Sequence, residues 1–226
     1  INGTQRVLEY CVLYNCKMLF TSTSEVYGDP LVHPQPESYY GNVNTVGERS
    51  CYDEGKRVAE TLIYEYQKRF PDLELKIARL FNTYGPRMDL DDGRVITNFI
   101  RQIKRGAPIT IYGDGTQTRS FCYIDDTVRA LVAFMATPGV DTSVLTTGPV
   151  NIGNPDCEFT MNELVGVFRR ALRRQGDGAF DVKYLPRTQD DPMCRRPVIT
   201  KAQELFGFEC VVGLEEGIQH VWDYFL

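Results

Sequence analysis

Tyr52 and Lys56, in the stretch CYDEGKRVAE, are the side chains best suited to chemistry. Four positions apart on a helix, they share a face. An ammonium beside a phenol favours the phenolate, and a phenol so tuned takes a proton from an alcohol near neutral pH. That proton transfer is what hydride abstraction from the alcohol needs. Alone the pair carries little weight, because Tyr and Lys fall four apart by chance on many solvated helix faces. A second group lies 29 residues earlier, where FTSTSEVYG ends an apolar run in hydroxyls and Thr23 is followed by Ser24 and Glu25. Strand ends are where open α/β sheets hold ligands. A carboxylate there is either a surface charge or a group that decides the reaction.

The elements that must position these residues can be read from periodicity. Residues 2–15 place Val7, Leu8, Cys11 and Val12 on one helical face, and KMLFTST reads as a short buried strand. The loop 28–47, rich in Pro, Gly, Asn and Tyr, is long for a compact domain, and such loops are usually functional or disordered. A helix over 48–70 carries Tyr52 and Lys56 and stops before Pro71. LELKIARLF is the next strand, closed by the turn NTYGPR. GRVITNFIRQIKRG then predicts an amphipathic helix stopped at Gly106. PITIYGDGTQTRSFCYI predicts two short strands around a Gly-rich turn. DDTVRALVAFMAT is a helix with an acidic first turn, and VNIGN a strand. TMNELVGVFRRALRR is a helix with Thr160 as N-cap and Glu163 at the capping-box position. FDVKYLP, TKAQELFG and LEEGIQHVWDYF add a strand and two helices. Strands alternating with helices argue for an α/β fold with a mostly parallel sheet.

Composition sets the outer limits. The chain has 226 residues, 42% hydrophobic and 24% charged, with a formal net charge of −5. That is one large or two small globular domains with ample core. The mild acidity gives no sign of a nucleic-acid surface, which would favour a basic stripe, but local arginines can still hold a small anion. The seven cysteines are odd in number and form no CxxC pair, and His33 and His220 stand alone. Neither a metal site nor a disulfide framework is expected, and a reducing compartment fits the pattern. No apolar stretch approaches the roughly 20 residues of a membrane helix.

Strand-end hydroxyl, then Tyr-x-x-x-Lys opening a long helix, then a strand ending in FNTYGPR: that order resembles the extended short-chain dehydrogenase/reductase family over essentially the whole chain. The resemblance implies a Rossmann-like parallel sheet, NAD as cofactor, a UDP-sugar as substrate, and Thr23, Tyr52 and Lys56 as the catalytic triad. Within the family, STSEVYGDP, YDEGKRVAE, ARLFNTYGPRM, DGRV, YGDGTQTRSF, NIGNP and QDDPMCRRP together resemble the UDP-glucuronate decarboxylases. No single one of these pieces is specific. A 4,6-dehydratase has an acid where Ser24 stands, so assisted loss of water is disfavoured. The alternative within the family is another nucleotide-sugar enzyme, a 4-epimerase or a 4,6-dehydratase. Roles implied by the resemblance are Tyr52 as base, Lys56 on the nicotinamide ribose, Thr23 on the C4 oxygen and Glu25 near C4 and C5. Arg195 would lie by the sugar carboxylate or phosphate, where a bidentate guanidinium suits either anion. Thr83 would lie by the nicotinamide, and Tyr66, Asn82, Arg94, Gln117 and Arg119 by the UDP. A homodimer through the Tyr/Lys helix is implied too.

The Gly-rich dinucleotide fingerprint is absent. YGDGTQT contains G-x-G but follows the catalytic helix and matches the sugar-nucleotide side instead. The family places the fingerprint upstream of Ile1, so the expectation is an N-terminally truncated chain that lacks the first βαβ units, binds NAD poorly and is inactive, beside an active full-length parent. A non-catalytic binding module is the alternative from another class. Residues 1–90 are expected to be the remainder of the NAD-binding domain, and 91–226 mainly a smaller α/β substrate domain, with a strand in 120–152 returning to the first sheet. Family members occur in the cytosol and in the Golgi, and the sequence does not choose between them.

Overall fold

The computed structural model describes residues 1–48, 50–138, 148–173, 176, 179–187 and 192–226. Its first layer is a parallel sheet in the order β1-β2-β7, formed by Met18–Thr23, Leu75–Leu80 and Pro149–Ile152. The register runs from Met18 opposite Leu75 to Thr23 opposite Leu80, and Leu80 lies opposite Ile152. The strands therefore finish level, and their C-terminal ends form one edge.

Side chains of a strand alternate between faces, and β2 shows the consequence. Leu75 and Ile77 pack with Leu8, Cys11 and Ile63 beneath helices α1 (Asn2–Tyr14) and α2 (Ser50–Arg69). Ala78 packs on the other face, with Ala130 and Phe134 of α4 (Ile124–Ala136) and Ala202 of α6 (Thr200–Phe206). Lys76 shares that face and is buried, yet its ammonium is satisfied: it donates to the carbonyls of Phe134, Met135 and Thr137 at 2.8, 3.2 and 2.5 Å. It thus caps the negative end of α4. Val7, expected on the inner face of α1, is 49% exposed. The inward stripe is narrower, because α1 is covered on one side only.

The second layer is built from short elements. Strand β3 (Thr83–Tyr84) pairs with β6 (Cys122–Tyr123), β4 (Ile109–Tyr112) with β9 (Val182–Leu185), and β5 (Thr118–Ser120) with β8 (Glu158–Thr160). Helices α3 (Val95–Lys104), α5 (Met161–Leu172) and α7 (Leu214–Tyr224) close on a core holding Phe99, Ile100, Ile109, Leu164, Phe168 and Trp222. Helix α5 opens with the expected capping box: the Glu163 N–H donates to Thr160 Oγ1 at 3.1 Å and the Thr160 N–H to Glu163 Oε2 at 2.8 Å. Strand β8 was not anticipated, and residues 109–123 hold three strands where two were expected. These pieces are two to four residues long, too short to show a period. The strand expected to return from 120–152 to the first sheet is β7, and α4 and α6, also beyond residue 90, pack against the same sheet. Among the described residues no helix is long and apolar enough to cross a membrane.

Candidate active site

A cleft of about 1300 Å³ opens where β1 and β2 end, between the two layers. On its first wall, Thr23 ends β1 and its Oγ1 accepts the Glu25 N–H at 3.2 Å, which starts the 3₁₀ turn Ser24–Tyr27. Gly28 then turns the chain at φ 64°, a conformation that costs a glycine little. A Cβ there would collide with the Asn42 carbonyl. Helix α2 stands against this turn. Lys56 Nζ donates to the Thr21 carbonyl at 2.7 Å and lies 4.7 Å from the Phe20 ring centre and 5.8 Å from that of Tyr52. Burial pulls the Lys56 pKa below the usual lysine range. Arg57 Nη1 donates to the carbonyls of Val26 and Tyr40 at 2.8 and 2.9 Å. Tyr52, 45% exposed, faces the cleft.

Arg195 closes the far end. It is 8% exposed, its carbonyl accepts the Ser120 N–H at 3.0 Å, and its Nη1 lies 3.9 Å from Glu25 Oε1. A cation and a carboxylate therefore face each other beside a strand-end hydroxyl and a Tyr/Lys pair. Buried electrostatics of this kind can hold an anionic group against a proton-transfer centre.

The second wall carries the other expected binding residues. Asn82 accepts the Cys122 N–H on its carbonyl at 2.9 Å, and Thr83 Oγ1 donates to the Phe81 carbonyl at 3.0 Å. Gln117 Nε2 donates to the Tyr112 carbonyl and Arg119 Nη1 to the Thr118 carbonyl, both at 2.7 Å. Arg94 is the N-cap residue of α3, with its side chain 67% exposed and its Nε 3.7 Å from Asp92 Oδ2. Asn82, Thr83, Arg94, Gln117 and Arg119 all line the cleft, together with the apolar Phe99, Ile111 and Met161.

Tyr66 is the exception. It does not line the cleft but packs against Phe70, with ring centres 6.0 Å apart, in the cluster under α1. It lies fourteen residues beyond Tyr52 on the helix, roughly 21 Å along the axis at 1.5 Å per residue, so sharing a face does not bring it to the site. Sequence reasoning also passed over Glu60, the next step in the 52, 56, 60 series. Its carboxylate is on the same face and reaches Ser22 and Arg79. The four-residue spacing was the signal that could have found it.

The model of the NAD dependent epimerase/dehydratase family matches residues 1–153. UDP-glucuronic acid decarboxylase 5 of Arabidopsis thaliana is 52% identical over 216 residues, covering 96% of this chain and 60% of that protein. UDP-glucuronic acid decarboxylase 1 of Danio rerio is 46% identical over 223 residues, covering 99% and 50%. The chain thus spans only half to three fifths of the length of these relatives. The crystal structure of UDP-glucuronic acid 4-epimerase from Bacillus cereus, in complex with UDP-glucuronic acid and NAD, superposes with a TM-score of 0.84 at 29% identity, covering 98% of this chain and 65% of that one. With a family match over two thirds of its length, the chain belongs to the NAD dependent epimerase/dehydratase family.

Proposed function

We propose that the protein converts UDP-glucuronate to UDP-xylose by oxidation at C4, loss of CO2 and return of the hydride. The observation that carries this reading is the Glu25–Arg195 approach of 3.9 Å at the end of β1, beside Thr23 and the Tyr52/Lys56 face. An epimerase of a neutral sugar needs only a base and a hydride carrier; a buried guanidinium facing a carboxylate adds a holder for a substrate acid. The names of the relatives in Arabidopsis thaliana and Danio rerio support the same substrate.

The residues fit the nicotinamide end of NAD: the half-buried Lys56 ammonium, the Tyr52 phenol and the Thr23 hydroxyl line one wall, with Thr83 near them. For the pyrophosphate, the described residues offer no Gly-rich turn between a strand and a helix. Gly113 and Gly115, with φ 75° and 78°, join β4 to β5 instead. NAD, when bound, supplies the hydride acceptor and donor for the sugar C4. Tyr52 takes the proton of the C4 hydroxyl, with Lys56 supporting its anion and Thr23 hydrogen-bonding the same oxygen. The C5 carboxylate, now β to a ketone, leaves as CO2, and the bonding pair moves into the C4 carbonyl as an enolate. Arg195 holds the acid, and Glu25 steers the ring or a water that returns a proton to C5. Asn82, Arg94, Gln117 and Arg119 hold the UDP through charge-assisted hydrogen bonds.

The test is product analysis with the full-length protein, UDP-glucuronate and NAD. CO2 and a UDP-pentose are the expected products. The C4 epimer without CO2 would make the protein an epimerase, and no product and no NADH would remove the catalytic reading. A homodimer through α2 belongs to the same proposal. Val58 and Tyr64 of α2 and Tyr10, Leu13 and Tyr14 of the neighbouring α1 are 36–73% exposed, apolar surface available to a second copy. Light scattering at twice the chain mass supports it, and the mass of one chain removes it.

A further inference from the structure

We infer that Glu60 and Arg79 are positioning residues, whose buried ion pair sets the strand end carrying Thr23 and Glu25 against the helix face carrying Tyr52 and Lys56. This rests on the reaction proposed above and names residues that the reaction itself does not use.

The pair is two-pronged. Arg79 Nε donates to Glu60 Oε1 at 3.0 Å and Nη2 to Oε2 at 2.7 Å, with both side chains 12% exposed. Each partner has a further contact beside the site. Ser22, the residue before Thr23, donates its hydroxyl to Glu60 Oε1 at 2.5 Å. Arg79 Nη1 donates to the Tyr27 hydroxyl at 3.0 Å, and Tyr27 closes the turn that holds Glu25. Tyr27 in turn donates to Asn151 Oδ1 at 2.8 Å. Burial pushes the Tyr27 phenol up to about 12, so it keeps the proton it donates. Burial works against the Arg79 cation, but the hydrogen bonds and charge interactions with Glu60 and Tyr27 together outweigh it and hold the guanidinium charged.

The geometry explains why a charge pair stands where an apolar contact would fill the space. Residues 52, 56 and 60 form one stripe of α2. Lys56 touches β1 at the Thr21 carbonyl and Glu60 touches it at Ser22. The two contacts fix both height and rotation of the helix against the strand. Directional hydrogen bonds define such a setting, and apolar packing does so less sharply. A displacement of about 1 Å in a reacting geometry can cost on the order of 10²-fold in rate.

The test uses the full-length protein and two variants. Glu60→Leu/Arg79→Met removes both charges and keeps the volume, so folding should survive, since replacing a buried pair by apolar residues is often neutral. Its expected outcome is a Tm near wild type, kcat at least about tenfold lower, KM for UDP-glucuronate within about twofold, and faster amide hydrogen exchange in residues 22–28. Glu60→Gln keeps the shape and is read in the same way if the double variant does not fold. Wild-type kcat in a folded variant overturns the proposal. So does a rise in KM parallel to the fall in kcat, or unchanged exchange over 22–28. If the wild-type protein leaves UDP-glucuronate untouched, the proposed reaction falls, and the exchange measurement decides the positioning role on its own.

Discussion

Lys56 and Arg94 are both cations that line the cleft, and they are held in opposite ways. The Lys56 ammonium is desolvated and donates to a main-chain carbonyl of the neighbouring strand at 2.7 Å. The Arg94 side chain is 67% exposed and is 3.7 Å from Asp92, a pairing worth about 0–1 kcal/mol. The elements that carry the two walls differ as well. On the first, Thr23, Glu25, Tyr52 and Lys56 sit on a six-residue strand, a turn tied to it and a twenty-residue helix. On the second, Gln117 and Arg119 sit on a three-residue strand and the turn before it. Proton transfer tolerates little misplacement, so the first wall is set before a ligand arrives. On the proposed function the second wall binds a flexible diphosphate, which tolerates more misplacement than proton transfer does.

Breaking the first wall should give the largest effect. Tyr52→Phe should lower turnover by about 10²–10⁴-fold, the range for general acid–base groups, and leave UDP affinity unchanged by titration calorimetry. A comparable loss of UDP affinity would show that the two walls do not divide the labour. Arg119→Ala should do the reverse. Losing a charge-assisted hydrogen bond costs about 1.5–3 kcal/mol, so UDP binding should weaken roughly 10–100-fold, less at high salt where the attraction is screened. A fall in kcat larger than the rise in Kd would move Arg119 to the chemical side.

The smallest effect sharpens how the second wall is supported. Helix α5 begins at Met161, a cleft residue whose N–H donates to the Gln117 carbonyl at 3.2 Å. Thr160→Ala should cost about 1 kcal/mol of stability in thermal unfolding and leave kcat alone. The Thr160 N–H and hydroxyl hold the Glu163 carboxyl below its usual range. A lowered folded pKa means a contribution fully present above about pH 4.5 and lost as pH falls through the folded value. The stability gap between wild type and Glu163→Gln should therefore narrow on acidification. A gap that widens would place the stabilisation elsewhere.

What could be read from the sequence was local. Thr160 and Glu163 are three residues apart, and Tyr52 and Lys56 four, so one turn of helix defines each pair. Alternating elements sufficed for the parallel sheet. Pairings through space left no such trace: Glu60 and Arg79 are 19 residues apart, and Glu25 meets Arg195 across most of the chain. The resemblance supplied Arg195, which no spacing could have found. Tyr66 also came from the resemblance, and it lies about four turns along α2 from Tyr52, outside the cleft. The short strands β3 and β8 escaped, and β5 and β6 were expected as one, because their partners, and not their own residues, make them strands.

Gln35 gives the site a history as well as a shape. It is fully buried, its N–H donates to the Arg196 carbonyl at 2.8 Å, its own carbonyl accepts the Val198 N–H at 2.9 Å, and its side chain accepts the Arg196 N–H at 2.9 Å. The loop after the catalytic strand is thus fastened by residues made more than 160 positions later. Closing so long a loop is entropically expensive and slow. During synthesis β1, the Tyr52 helix and β2 are made within the first 80 residues, whereas β7, the Arg195 end of the cleft and α6 follow much later, so the two ends of the cleft are completed at different times.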